Sequence, residues 1–298
     1  MANMDSRLVL GVMLLGACKA ELADGPSEVD GGADGNGIIL PDGDGSGSDG
    51  QMMLGAWGTP AKVPGADSTL NEDDATLSST RLEIYFKRAD VDSANLYVMT
   101  RTSPTSVWSN PVALTVLNST VEEESPRLSY DDLTLYFGRN GDIYKSQRTA
   151  VGSPWGAAQA VTALNTAAYE KWGVVCSNGY AMVSRAVTAQ GQEIFDGDIN
   201  TGTNNPVTQL NSTSQEQGMQ LSNDCLRVYY QSNRTNALFD LYVATRVSMT
   251  SQWSNPTVLT DFNTTTYNEE DPWISPDQRT FVFASNMSGN KDVYISTR

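Results

Sequence analysis

Five imperfect copies of a unit of about 48 residues fill the chain from Trp57 to Arg298, and such a period permits only an array of like modules. The clearest landmark is Tyr-x-x-x-Arg, at Tyr97 to Arg101, Tyr144 to Arg148, Tyr242 to Arg246 and Tyr294 to Arg298. A Leu/Phe-Asn step precedes each copy at Asn71, Asn118, Asn165, Asn211 and Asn263, and Trp57, Trp108, Trp155 and Trp253 begin Trp-x-x-Pro or similar segments. Thr, Val, Tyr, Ser and Asn are plentiful, which suits strands and turns.

The second copy shows the unit. Trp108 to Leu114 is an apolar run whose Pro111 suits an edge strand. After an acidic loop (Glu122, Glu123, Glu124), short strands are expected around Arg127-Leu128, over Leu133 to Phe137, and from Asp142 to Arg148. Ser129 to Asp132 and Asn140-Gly141 mark the turns between them. Four short strands per repeat make one propeller blade. The last copy stops after its third strand, whereas an orphan segment, Trp57 to Val63, precedes the first. The sequence thus predicts an all-β, five-bladed β-propeller of four-stranded blades over residues 55–298, closed by an N-terminal strand so that no sheet edge is left open. Two packed β-sandwiches are the alternative.

At the Ser-Pro-Asp turn (Ser275 to Asp277) and the Asp-Leu/Val-Tyr strands (Asp240 to Tyr242, Asp292 to Tyr294), the chain resembles the TolB-type, WD-like propeller repeat. The resemblance covers residues 57–298. It implies an interaction domain of the bacterial periplasm or cell surface, in a family that is mostly non-catalytic.

The N-terminus reads as a leader. Leu8 to Leu15 is an apolar run too short to span a bilayer, and Leu15-Gly16-Ala17-Cys18 resembles a bacterial lipobox, which implies a lipidated Cys18. An ordinary secretory leader with a chance cysteine is the other reading. Lys19 stands where Asp would mark inner-membrane retention, so the resemblance points to the outer membrane, with the propeller in the periplasm or on the surface. Residues 1–18 are therefore read as signal peptide. Residues 19–54, with eight acidic residues, one lysine and much Gly and Ser, read as a disordered tether. Asp42 to Gly47 imitates half a calcium loop, but Met53 holds the place of the closing Glu, so linker is preferred.

Composition narrows the chemistry. With no histidine, Ser-His-Asp and Cys-His catalysis and His-ligated metals are excluded; carboxylate chemistry and oxygen-ligated calcium remain. A net charge of −16 opposes nucleic-acid binding. No cofactor is expected, and the domain is read as a monomer.

Residues repeated in most blades, such as Asp142, Tyr144 and Arg148, are expected to join blades. The loop before each inner strand places Asp73, Glu124, Trp172, Gln217 and Glu270 at one rim of the channel, with Glu122, Glu123, Glu269 and Asp271 nearby. This rim is the candidate ligand site; the bland reading has its carboxylates accepting backbone hydrogen bonds. Tyr169, Lys171, Trp172 and Arg185 belong to an irregular third copy. Cys176 and Cys225 flank the same turn in adjacent blades and are candidates for a disulfide. The expected function is binding of an envelope protein or glycan. The alternative is a glycosidase using channel carboxylates, although the rim shows no unique acid pair.

Overall fold

The computed structural model describes residues 54–188 and 191–298; the expected leader, Cys18 and nearly all of the expected tether lie outside them. All regular elements among the described residues are strands. A short β1 (Ala61–Lys62) precedes blade 1, which holds β2 (Glu72–Leu77), β3 (Glu83–Ala89), β4 (Ala94–Thr100) and β5 (Val112–Ala113). Blade 2 holds β6 (Glu123–Leu128), β7 (Thr134–Arg139), β8 (Asp142–Gln147) and β9 (Gln159–Ala160). Blade 3 has β10 (Glu170–Val175), β11 (Tyr180–Thr188), β12 (Gly191–Asp198) and β13 (Gly202–Pro206). Blade 4 has β14 (Glu216–Leu221), β15 (Arg227–Ser232), β16 (Asp240–Thr245) and β17 (Thr257–Val258). Blade 5 has β18 (Glu269–Ile274), β19 (Thr280–Ser285) and β20 (Asp292–Thr297).

These strands make five antiparallel four-stranded sheets, the last ordered β18-β19-β20-β1. The first strands of neighbouring blades touch in a closed ring, β2 to β6 to β10 to β14 to β18 and back to β2. The fold is a five-bladed β-propeller. Its closing strand is the expected one: Ala61 pairs with Ile295 and Lys62 with Tyr294. Hydrophobic side chains fill the spaces between blades, and at the seam Val63, Leu77 and Phe86 pack with Trp273, Val282 and Val293.

Three recurring devices explain the repeat. A Glu opening each inner strand (Glu72, Glu123, Glu170, Glu216, Glu269) is fully buried. It accepts from a Ser or Thr four or five residues upstream; for Glu123 the donors are Ser119 Oγ at 2.5 Å and Ser119 N at 2.9 Å. In four blades an arginine pairs with it, at 2.8 Å for Arg139. Next, the Asn of the Leu/Phe-Asn step at Asn118, Asn165, Asn211 and Asn263 binds both backbone groups of a third-strand residue in the preceding blade, while Asn71 accepts from Lys291 N at 3.0 Å. Asn118 thus accepts from Leu96 N at 2.9 Å and donates to Leu96 O at 3.0 Å.

The third device uses the Tyr-x-x-x-Arg arginines. Arg101, Arg148, Arg246 and Arg298 lie 4.0, 4.6, 4.3 and 4.2 Å from the ring centroids of Trp108, Trp155, Trp253 and Trp57. Each also donates to the carbonyl of a turn residue with positive φ, namely Arg81, Asp132, Cys225 and Gln278. Arg148 reaches blade 1 as well, pairing with Glu83 at 2.6 Å. The last clamp joins Arg298 to Trp57 and so reinforces the seam.

Blade 3 departs from the scheme. Its first turn closes one residue sooner, with Cys176 N donating to Tyr180 O, where Ser129 N reaches Thr134 O in blade 2. No Arg–Trp clamp holds this turn among the described residues. Instead Cys176 is disulfide-bonded to Cys225 in the corresponding turn of blade 4, with Cα atoms 6.3 Å apart.

Candidate functional site

Each inner strand carries a bulge after its second residue. The third residue takes a left-handed conformation in every blade: Asp74 (φ 58°), Ser125 (54°), Trp172 (48°), Gly218 (68°) and Asp271 (56°). A bulge leaves one residue out of the ladder, and here five such residues occupy matching places in the inner ring. At Gly218 a Cβ would lie 2.1 Å from Gln231 Oε1, an atom that accepts from Asp271 N at 2.6 Å. Only glycine leaves room for that bond.

Matching the strands corrects one expected rim residue. Asp73 pairs with Lys87, Glu124 with Gly138, Gln217 with Gln231 and Glu270 with Ala284, but the equivalent in blade 3 is Lys171, paired with Ser184. Trp172 belongs one step further in, beside Asp74 and Asp271. Aligning the repeats on serine misplaces it because Cys176, not Ser177, holds the position of Ser78, Ser129, Ser222 and Ser275. The Ser/Thr-to-Glu spacing from Thr166 to Glu170 keeps the true register.

Side chains from four of the inner strands, β2, β6, β10 and β18, meet at this end of the channel, and β14 brings the backbone of Gly218 and Met219. Asp73, Glu124, Trp172 and Glu270 are each no more than 5% exposed, and the acids are held by lysines. Lys87 lies 3.0 Å from Asp73 and 3.6 Å from Asp74. Lys291 pairs with Glu270 and lies 3.7 Å from Asp73, while Lys171 pairs with Glu124. Tyr169 donates to Glu124 at 2.5 Å. Burial pushes Asp73, Glu124 and Glu270 upward in pKa, and the lysines pull them back. The buried Arg127 crosses the channel, donating to Met219 O at 3.1 Å and Asp74 O at 3.2 Å.

On the axis, Trp172 Nε1 lies 2.7 Å from Asp74 Oδ1 and 3.1 Å from Asp271 Oδ1. Carboxylate oxygens of Asp73, Asp74 and Asp271 lie within 4.8 Å of one another. Such spacing suits an oxygen-bound cation, but Lys87, Lys291 and the indole N–H already face these oxygens, and a donor there opposes a metal. The protein supplies its own positive charge.

The opposite end is different. Tyr130, from the first turn of blade 2, reaches across to blade 4, where its hydroxyl donates to Leu221 O at 2.6 Å and accepts from Gln220 Nε2 at 3.2 Å. Beside it opens a hollow of about 190 Å³ between the turns of blades 4 and 5, lined by Tyr130, Tyr229, Pro276, Asn223, Asp224 and Gln278 among others. Burial pushes the Tyr229 hydroxyl up to about 12, so it stays protonated and can donate. Sequence reasoning placed no site here. The available signal was Tyr130, an aromatic where Ser79, Asn223 and Pro276 stand in other turns.

No family model matches the chain, and no curated protein matches it in sequence. Among solved structures it is similar to the alpha-L-arabinofuranosidase of Podospora anserina bound to cellotriose (TM-score 0.55, 12% identity, covering 82% of this chain and 96% of that one). It is also similar to the endo-arabinase of Bacteroides thetaiotaomicron (TM-score 0.54, 12% identity, 80% and 96%). A putative TolB from Agrobacterium tumefaciens matches at TM-score 0.47 with 13% identity over 79% of this chain and 82% of that one. At such identities the arabinofuranosidase and the endo-arabinase establish the propeller fold and nothing about activity.

Proposed function

We propose that this protein is a non-catalytic binding propeller that takes a glycan at the Tyr130–Tyr229 mouth and is anchored through Cys18 to a bacterial outer membrane. The observation that carries the reading is the state of the channel acids. Each is buried and held by a lysine or by the indole of Trp172, so they face no open gap. Glycoside hydrolysis needs two carboxyls about 5 to 9.5 Å apart across a space that admits the sugar and, in inverting enzymes, a water. Among the described residues that line the hollow at the other mouth, Asp224 is the one carboxylate.

Its chemistry suits a sugar ring. Tyrosine and proline offer flat apolar walls, while Asn223, Asp224 and Gln278 offer an amide and carboxylate edge for hydroxyls. Asn223 and Asp224 are exposed, so they can be changed with little effect on packing. Asn223→Ala should weaken glycan binding about tenfold, near 1.4 kcal/mol, with an unchanged melting temperature. A glycan array followed by titration calorimetry on the positive glycans measures this. Release of sugar from any glycan on the panel would replace the scaffold by a carbohydrate-active enzyme; an array with no positives, beside an envelope protein captured through Asn223, would replace the glycan by a protein ligand.

A further inference from the structure

Blades 1 and 5 carry the two ends of the propeller chain, and the seam between them is the part of the ring closed by side chains and a two-residue strand instead of by a continuing backbone. Asp74 from blade 1 meets Asp271 from blade 5 on the axis at this seam. We propose that these two carboxyls share one bound proton, carried by Asp271, and that this proton is an acid latch on ring closure.

The hydrogen bonds are unequal in the way such a pair requires. Asp74 receives the shorter indole bond (2.7 Å), the Ser125 backbone N–H at 3.1 Å and the ammonium of Lys87 at 3.6 Å. Asp271 receives the longer indole bond (3.1 Å) and a 3.3 Å contact from Asp74 N, and has no ion pair among the described residues. Donors stabilise the ionised form, so the negative charge settles on Asp74 and the proton on Asp271. Two like charges this close in a buried site do not both ionise.

The surrounding charges agree. Facing the pair are Asp73 on β2, Lys87 on β3, Glu124 and Arg127 on β6, Lys171 on β10, Glu270 on β18 and Lys291 just before β20. From β14 and β15 come the neutral Gly218 and Gln231. Five carboxylates with Asp74 and Asp271 included thus meet four cations, and one proton makes the cluster neutral. Polar atoms left without hydrogen-bond partners include the fully buried Ser125 Oγ and one amino group of Arg127, both drawn in by the same inner-strand bulges. Burial and the neighbouring acids, Asp74 first among them, raise the Asp271 carboxyl well above the usual range; the lysines and Arg127 hold Asp74 below it.

The signs give a window. Asp271 is raised, so the stability it contributes is present at low pH and is lost as pH climbs through its folded-state pKa. Asp74 is lowered, so its contribution holds above the ordinary carboxyl range and is lost as pH falls through its own. Closure is firmest near the ordinary carboxyl range and weakens steadily from there up to the folded-state pKa of Asp271. Above the window two carboxylates oppose each other at the seam.

Infrared spectroscopy of the whole protein at neutral pH should show a protonated-carboxyl C=O band that is lost in Asp271→Asn and retained in Asn variants of exposed acids. Asp271→Asn, which mimics the protonated acid, should melt no lower than wild type at neutral pH and remove the part of the decline that runs upward from the ordinary carboxyl range. Asp74→Asn should lower the melting temperature by roughly 10 °C. Absence of the band in folded wild-type protein would overturn the latch, as would equal destabilisation by the two variants. Calcium that raises the wild-type melting temperature and abolishes the band would put a cation in the proton's place.

Discussion

At the scale of the residue, the buried Glu of each inner strand shows how one position can be repeated yet differ in energetic weight. Glu123 is fully buried between Ser119 and Arg139, whose guanidinium nitrogen lies 2.8 Å away. Glu269 has the same place in blade 5 but meets Thr264 and Ser285 instead of an arginine, and burial accordingly raises its pKa. Glu123→Gln leaves a buried charge-assisted bond weakened and Arg139 without its counter-charge, which should cost about 2–3 kcal/mol. Glu269→Gln retains an acceptor for Thr264 and strands no cation, so its cost should stay under about 1 kcal/mol. Urea unfolding of both variants measures the difference, and equal midpoints would show that Arg139 adds nothing. Ser/Thr followed four or five residues later by Glu recurs in every copy, yet from sequence Glu123 and Glu269 read as rim acids, because the acidity of the loop masks the repeat. Of the axial residues, Trp172 and Asp271 were legible at the rim from sequence, whereas Asp74, Ser125 and Gly218 were not. Asp74, Ser125, Trp172, Gly218 and Asp271 share a backbone conformation but no chemistry, so side-chain identity alone gives no repeat to read.

At the scale of the element, the Arg–Trp clamps and the disulfide do one job by different means. In blades 1, 2, 4 and 5 an arginine ties the left-handed turn residue to a tryptophan at the blade's outer strand. Blade 3 lacks the clamp and ties its first turn to blade 4 through Cys176–Cys225. The turn irregularity that hides the register of Lys171 and Trp172 is therefore also what brings Cys176 opposite Cys225. From sequence, both cysteines could be seen to flank a turn in adjacent blades; their pairing depends on the substitution of Cys176 for the turn serine. Replacing both by serine should cost about 2–4 kcal/mol. Hydrogen exchange should locate the loss: amides of β10 and β11 should exchange faster, while those of β2 and β3 stay protected. A loss spread evenly over all blades would mean that the bond stabilises the ring as a whole and does not replace a local clamp.

At the scale of the whole molecule, the propeller has one end sealed by ion pairs and another with an open hollow, and the chain enters the ring at the seam where β1 joins β20. Trp57 stacks under Arg298, and Lys62 lies 2.7 Å from the fully buried Asp292 carboxylate, so side chains add to the two ladder pairs that hold the entering segment. A pull on the chain before residue 55 would thus load the closing strand first. That arrangement fits the proposal of a domain tethered from its N-terminal side, with residues 19–54 as the tether and Cys18 as the lipidated end. Two barriers to that reading can be separated by experiment, because the anchor and the propeller make independent demands. Cys18→Ser should move the protein from the membrane to the soluble fraction and abolish labelling by a fatty-acid analogue, with the propeller's melting temperature and glycan binding unchanged. Single-chain acylation gives only weak, reversible membrane attachment, whereas several buried chains hold firmly, so the shift should be close to complete. A variant that still fractionates with membranes and still takes the label would show that the anchor lies elsewhere, and one that fractionates with membranes but takes no label would place attachment in the propeller itself.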